Sequence, residues 1–87
     1  MKKQEILIVD DESINLSVLK KLLSPYFLVR ACKSGEGALQ IIETDARPDL
    51  ILLDILMPGM DGYETLSRMK ANPENEDIPV IFVSALD

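Results

Sequence analysis

The sequence predicts an α/β fold: a parallel sheet wound with helices on both faces. Three observations carry that expectation. Ile6-Leu7-Ile8-Val9, Leu50-Ile51-Leu52-Leu53 and Val80-Ile81-Phe82-Val83 are short, unbroken apolar runs rich in branched residues. Strands buried on both faces of a parallel sheet read this way. Between the runs, apolar residues recur at helical spacing. The two patterns alternate along the whole chain, giving repeated strand–helix–strand units joined by right-handed crossovers.

The first strand runs from Glu5 to Val9. The first helix follows from Ile14 to Leu23, where Ile14, Val18 and Leu22, with Leu19 and Leu23 beside them, form one stripe. Glu12 or Ser13 stands at the capping position, and Pro25 stops the helix. A second strand covers Tyr26 to Cys32. It is less uniformly apolar and contains Arg30, which suits a sheet edge. Ser34 caps a second helix that extends through Ile42, with Ala38, Leu39 and Ile42 facing inward. Ala46-Arg47-Pro48 turns the chain into a third strand, Asp49 to Leu53. Pro58-Gly59-Met60-Asp61-Gly62 is a loop. Asp61 followed by Glu64 resembles a capping box for a third helix from Tyr63 to about Ala71. After a polar loop, Asn72 to Asp77, the fourth strand is Pro79 to Val83. Periodicity alone does not order the strands.

Composition narrows the function. Eighty-seven residues make one domain with a modest core, and 47% hydrophobic content excludes a disordered acidic tail. Fifteen acids against nine bases, net charge −6, argue against nucleic acid, whose binders carry a basic face. The single cysteine, Cys32, excludes an internal disulfide and reads as a structural thiol in a reducing, cytoplasmic compartment. No apolar run approaches the roughly 20 residues that span a bilayer, so no membrane contact is expected.

The acids carry the chemistry. Asp10-Asp11 closes the first apolar run and Asp54 closes the run at Leu50–Leu53. Parallel strands place their carboxyl ends along one edge, where open α/β folds keep their sites, so three carboxylates meet at one rim. Two unit charges ~5 Å apart at an effective dielectric of ~20 repel by about 3 kcal/mol. A hard divalent cation with oxygen ligands offsets that repulsion, and Mg2+ is the usual one beside phosphate chemistry. Taken singly, each motif has a plainer meaning: Asp10 and Asp11 a helix cap and a solvated acid, Asp54 a turn residue, Met57 and Met60 packing.

Taken together, Val9-Asp10-Asp11-Glu12, then Leu53-Asp54-Ile55-Leu56-Met57-Pro58-Gly59-Met60-Asp61-Gly62, then Pro79-Val80-Ile81-Phe82-Val83-Ser84-Ala85 resemble the receiver domain of two-component response regulators. The match runs through the whole chain in order and spacing. The resemblance implies a flavodoxin-like doubly wound sheet, here in strand order 2-1-3-4. It implies Asp54 as the phosphoacceptor, with Asp11 as the direct Mg2+ ligand and Asp10 as its partner acid. It further implies a metal contact from the Leu56 backbone carbonyl and a phosphoryl contact from the Ser84 hydroxyl. Ala85 matches the small residue that leaves room for the phosphoryl group, and Pro58 and Gly62 match residues that shape the pocket. The implied donor is a histidine kinase or phosphotransfer protein, and the implied response is a conformational switch passed to an output domain.

One departure stands out. The family has a fifth strand and two further helices, and a lysine after that strand that pairs with the phosphoryl group. Nothing in this sequence matches them; Lys70, on the third helix, is in the wrong place. The chain therefore reads as the receiver domain over residues 1–87, incomplete at its C-terminus, with a bare fourth strand that favours self-association. Two other functions compete with this reading. One is a phosphohydrolase with an aspartyl nucleophile, whose D-x-D pattern on the first strand is absent here. The other is a receiver-like interaction module that is never phosphorylated.

Overall fold

The computed structural model describes residues 3–44 and 47–83. Along them run β1 (Glu5–Val9), α1 (Ser13–Leu23), β2 (Leu28–Cys32), α2 (Gly35–Thr44), β3 (Leu50–Asp54), α3 (Gly62–Lys70) and β4 (Val80–Val83). The four strands form one parallel sheet in the order β2-β1-β3-β4, as the resemblance implied. The uninterrupted apolar runs occupy the interior of this sheet. Leu7, Ile8, Val9 and Leu53 are almost wholly buried, and each such side chain contributes roughly 1.5–3 kcal/mol.

The two faces of the sheet are covered unequally. On one face, Leu7, Val9, Ile51 and Leu53 pack with Ala38 and Ile42 of α2 and Met69 of α3 into a single core cluster. On the other, the register aligns Ala31, Ile8, Leu52 and Ile81 in a row. Exposure along that row rises from 1% at Ile8 to 52% at Ile81. The helix α1 packs on β1 and β2, and along the row only Ile8 is buried, Ala31 on the β2 edge being exposed like Ile81. The apolar stripe of α1 is largely in solvent: Ile14, Val18 and Leu22 are exposed, while Leu16, Leu19 and Leu23 are half-buried. Spacing shows that a face is apolar, and only the neighbouring elements decide whether it is covered.

The local expectations are met with small shifts. At α1 the cap position is Glu12, whose side chain makes no capping bond; Ser13 lies in the first turn and its hydroxyl accepts from Lys33 Nζ at 2.8 Å. β2 begins at Leu28 rather than Tyr26, because the Tyr26 and Phe27 amides still bond the Leu23 carbonyl at the end of α1. As expected, β2 is an edge, and Arg30 pairs with Glu5 on β1 at 2.9 Å. Ser34 Oγ accepts from Gly37 N at 3.0 Å, the anticipated cap of α2, which continues to Thr44. Asp61 caps α3 by accepting from Glu64 N at 2.8 Å. The reciprocal half of the box is absent, since the Glu64 carboxylate pairs with Arg68 at 2.9 Å. The third strand is shifted by one, to Leu50–Asp54, so that Asp54 is its last residue.

Candidate functional site

Register builds the site. The last β1–β3 pair is Val9 with Leu53, so the next residues along the two strands, Asp10 and Asp54, come side by side at the carboxyl edge. Asp11 follows directly, and one carboxylate oxygen from each of Asp10, Asp11 and Asp54 lies within 4.8 Å of the others. Asp10 is 5% exposed and Asp54 9% exposed, with Asp11 half-buried. Unpaired acids this close and this dry are unfavourable.

Asp10 and Asp54 are each held by backbone amides of the turn that follows them. The amide of Asp10 donates to the Cys32 carbonyl at 3.1 Å, extending the β1–β2 ladder by one bond. Its Oδ1 accepts from Glu12 N at 2.9 Å, and its Oδ2 accepts from the Asn15 amide at 3.2 Å. Asp54 accepts from the backbone amides of Leu56 and Ile55, which favour its charged form. Burial works against them, and so do the charges of Asp10 and Asp11; the net effect pushes the Asp54 carboxyl up from its ordinary value.

The loop after Asp54 is shaped by close contact. Gly62 N donates to the Ile55 carbonyl at 2.8 Å. A Cβ on Gly62 would lie 2.4 Å from the Asp54 carbonyl oxygen, so glycine alone lets α3 start this near β3. Gly59 turns the loop at φ 74°. Met57 and Met60 are buried, the packing role their plainer reading gave them. The Leu56 side chain is exposed beside the acids. Cys32 is half-buried, and burial pushes its thiol up from its ordinary value.

The structure brings together Asp10, Asp11 and Asp54, with the backbone amide, not the carbonyl, of Leu56 against Asp54. Ser84 and Ala85 lie outside the described residues. Lys70, at the end of α3, donates to the Glu76 carbonyl. Sequence reasoning missed Asn15. The signal for it was weak: a poor helix former in the first turn of α1, five residues past an acid.

The donor set fits a small hard cation. Ligand oxygens at 2.0–2.1 Å from an octahedral ion sit roughly 2.9–4.2 Å from one another. Oxygens within 4.8 Å reach that spacing by small side-chain rotations. Among the described residues, no helix is long and apolar enough to cross a membrane.

Comparison with known proteins agrees with this geometry. The family model described as the response regulator receiver domain matches residues 6–87. The response regulator PleD of Caulobacter vibrioides is 42% identical over 83 residues, which are 94% of this chain and 18% of that protein. The chain thus spans less than a fifth of that relative's length. The N-terminal domain of a response regulator receiver protein from Methanoculleus marisnigri superimposes with a TM-score of 0.90 at 39% identity, covering 95% of this chain and 68% of that one. The phosphorylated cyanobacterial phytochrome response regulator RcpA superimposes at 0.87 with 27% identity, covering 98% and 68%.

Proposed function

The chain belongs to the response regulator receiver domain family, and from that premise we propose that residues 1–87 form a phosphoacceptor unit in which Asp54 receives a phosphoryl group with the help of Mg2+. The observation that carries this is the convergence of Asp10, Asp11 and Asp54 at one rim, with Asp54 nearly buried at the end of an interior strand. A receiver-like module that only binds has no need of three acids held together against their repulsion.

Phosphoryl transfer to a carboxylate brings an anionic nucleophile to an anionic group, so catalysis is mainly positioning and charge placement. Asp10, Asp11, Asp54 and the Leu56 carbonyl would hold Mg2+, which when bound neutralises both reactants and keeps Asp54 ionised. The rest is the work of the chain. The amides of Ile55 and Leu56 orient the Asp54 carboxylate. The close seat of Gly62 fixes the backbone that carries it. One Asp54 oxygen attacks the phosphorus of a donor phosphohistidine, the P–N bond breaks, and the imidazole leaves with the electron pair. The product is an aspartyl phosphate. Ser84 is assigned the hydroxyl that contacts it, and Ala85 the small neighbour that admits it.

The donor is a histidine kinase or phosphotransfer protein, and the phosphorylated form acts on an output element by population shift. The domain so described signals rather than turning over a substrate, in the cytoplasm, without binding nucleic acid or membrane. The crystal structure of RcpA is of its phosphorylated form, which supports modification of a fold of this kind. The test is phosphorylation by a small acyl phosphate with Mg2+, reductive trapping of the acyl phosphate, and mapping by mass spectrometry. A single label on Asp54 is expected. A label on Asp10, Asp11 or Glu12, or turnover of a generic phosphate ester, overturns the assignment.

A further inference from the structure

Asp10 is held at both oxygens. Oδ1 accepts from the Glu12 amide, two residues on, a bond made by the local turn whatever stands at position 15. Oδ2 accepts from the side-chain amide of Asn15, which comes from the first turn of α1. The Cβ–carboxylate torsion of aspartate is broad, so one hydrogen bond leaves the plane of the carboxylate free to swing. Bonds to both oxygens fix that plane. A carboxylate offers about four lone-pair sites, so two remain for a cation after these bonds are made.

Asn15 is a poor choice for its own helix. Asparagine is a weak helix former, and α1 has neither a side-chain cap nor an acid in its first turn. The Asn15 amide contributes nothing to the helix end; its partner is Asp10. A residue that goes against local propensity and bonds a buried acid points to the site that acid serves.

We infer that Asn15 is a positioning residue for the cation site: its side-chain amide locks the Asp10 carboxylate so that the three acids are aligned before the ion arrives. The inference rests on the proposed Mg2+ reading. Groups that hydrogen-bond metal ligands typically contribute 10–100-fold to metal affinity.

The experiment compares the parent chain with Asn15→Ala and Asn15→Gln. Mg2+ is titrated against backbone amide shifts, and thermal unfolding is followed in EDTA. Alanine removes the donor and improves the helix, so Asn15→Ala is expected to melt at the same temperature as the parent or higher, yet to bind Mg2+ about tenfold more weakly. Asn15→Gln keeps an amide on a longer arm and is expected to recover most of the loss. A merely structural asparagine would instead lower melting temperature with no selective loss of affinity. If the parent binds Mg2+ and Asn15→Ala binds within twofold of it, or if Asn15→Gln is as weak as Asn15→Ala, the role of Asn15 is refuted while the cation site stands. If the parent shows no saturable Mg2+ response, the cation site itself falls, and this inference with it.

Discussion

Replacing Gly62 with alanine adds one methyl group where the structure has no room for it. The new Cβ would lie 2.4 Å from the Asp54 carbonyl oxygen, 2.8 Å from Ile55 Cα and 3.1 Å from the Asp54 carbonyl carbon. Ordinary contact begins near 3.4 Å, so the start of α3 and the end of β3 must part by about 1.0 Å (3.4 − 2.4). The obstacles are backbone atoms, so no side-chain rotation relieves the clash. Overpacking of this kind costs roughly 1–3 kcal/mol. Stretching the Gly62 N to Ile55 O bond, now 2.8 Å, adds about 1 kcal/mol. A loss of about 2–4 kcal/mol is a large share of a typical stability of 5–15 kcal/mol. For a domain of this size it lowers the melting temperature by roughly 10–30 °C. The same displacement moves Asp54, and a misplacement near 1 Å at a reacting group costs about 100-fold in rate. Gly62→Ala is therefore expected to melt well below the parent in EDTA and, below its own transition, to accept phosphate from a small acyl phosphate far more slowly. Gly37→Ala is the control: its Cβ would meet only the Ser34 hydroxyl at 3.1 Å and Cys32 Cβ at 3.7 Å, so a small stability change is expected. Gly62→Ala melting within about 2 °C of the parent, on a scale of roughly 4–8 °C per kcal/mol, would refute this account of the β3–α3 loop.

Two further outcomes are expected. Asp54→Asn should stabilise the protein in EDTA at neutral pH, because within 4.8 Å each neighbouring acid repels Asp54 by about 0.9 kcal/mol even at a water-like dielectric. The folded-state pKa of Asp54 is raised by burial and by Asp10 and Asp11. The native form thus holds a proton that the unfolded chain releases, and stability falls as pH rises from the ordinary aspartate value through the raised one. The advantage of the variant should accordingly be largest above the raised pKa and fade on acidification; a parent that melts higher than Asp54→Asn in EDTA at neutral pH contradicts it. The exposed Ile14, Val18, Leu22 and Ile81 should drive association of the 87-residue chain. Light scattering is expected to show mass rising with concentration, with Ile81→Lys restoring a monomer; a parent that stays monomeric throughout shows that these faces do not pair.

Much of the architecture was legible in the residues. The short branched runs Ile6–Val9 and Leu50–Leu53, alternating with helical segments, read as interior parallel strands, and each ends in acid. Once parallel pairing is granted, their convergence at one rim follows, and the 4.8 Å cluster realises it. The caps at Ser34 and Asp61 were legible too, because a hydroxyl or carboxylate before a helix bonds amides only two or three residues away. Tertiary structure decided what depends on distant neighbours. It decided which positions of the α1 stripe lie in solvent, Ile14, Val18 and Leu22, and which are half-buried, Leu16, Leu19 and Leu23, since spacing marks an apolar face without supplying a cover. It decided that Gly62 must be glycine, because the obstacle is the backbone of a separate strand. It also decided that Asn15 serves Asp10, a bond whose direction depends on how α1 leaves β1. Local pattern therefore determined which elements form and where the acids cluster, while long-range packing determined which faces are covered and which side chains hold the acids in place.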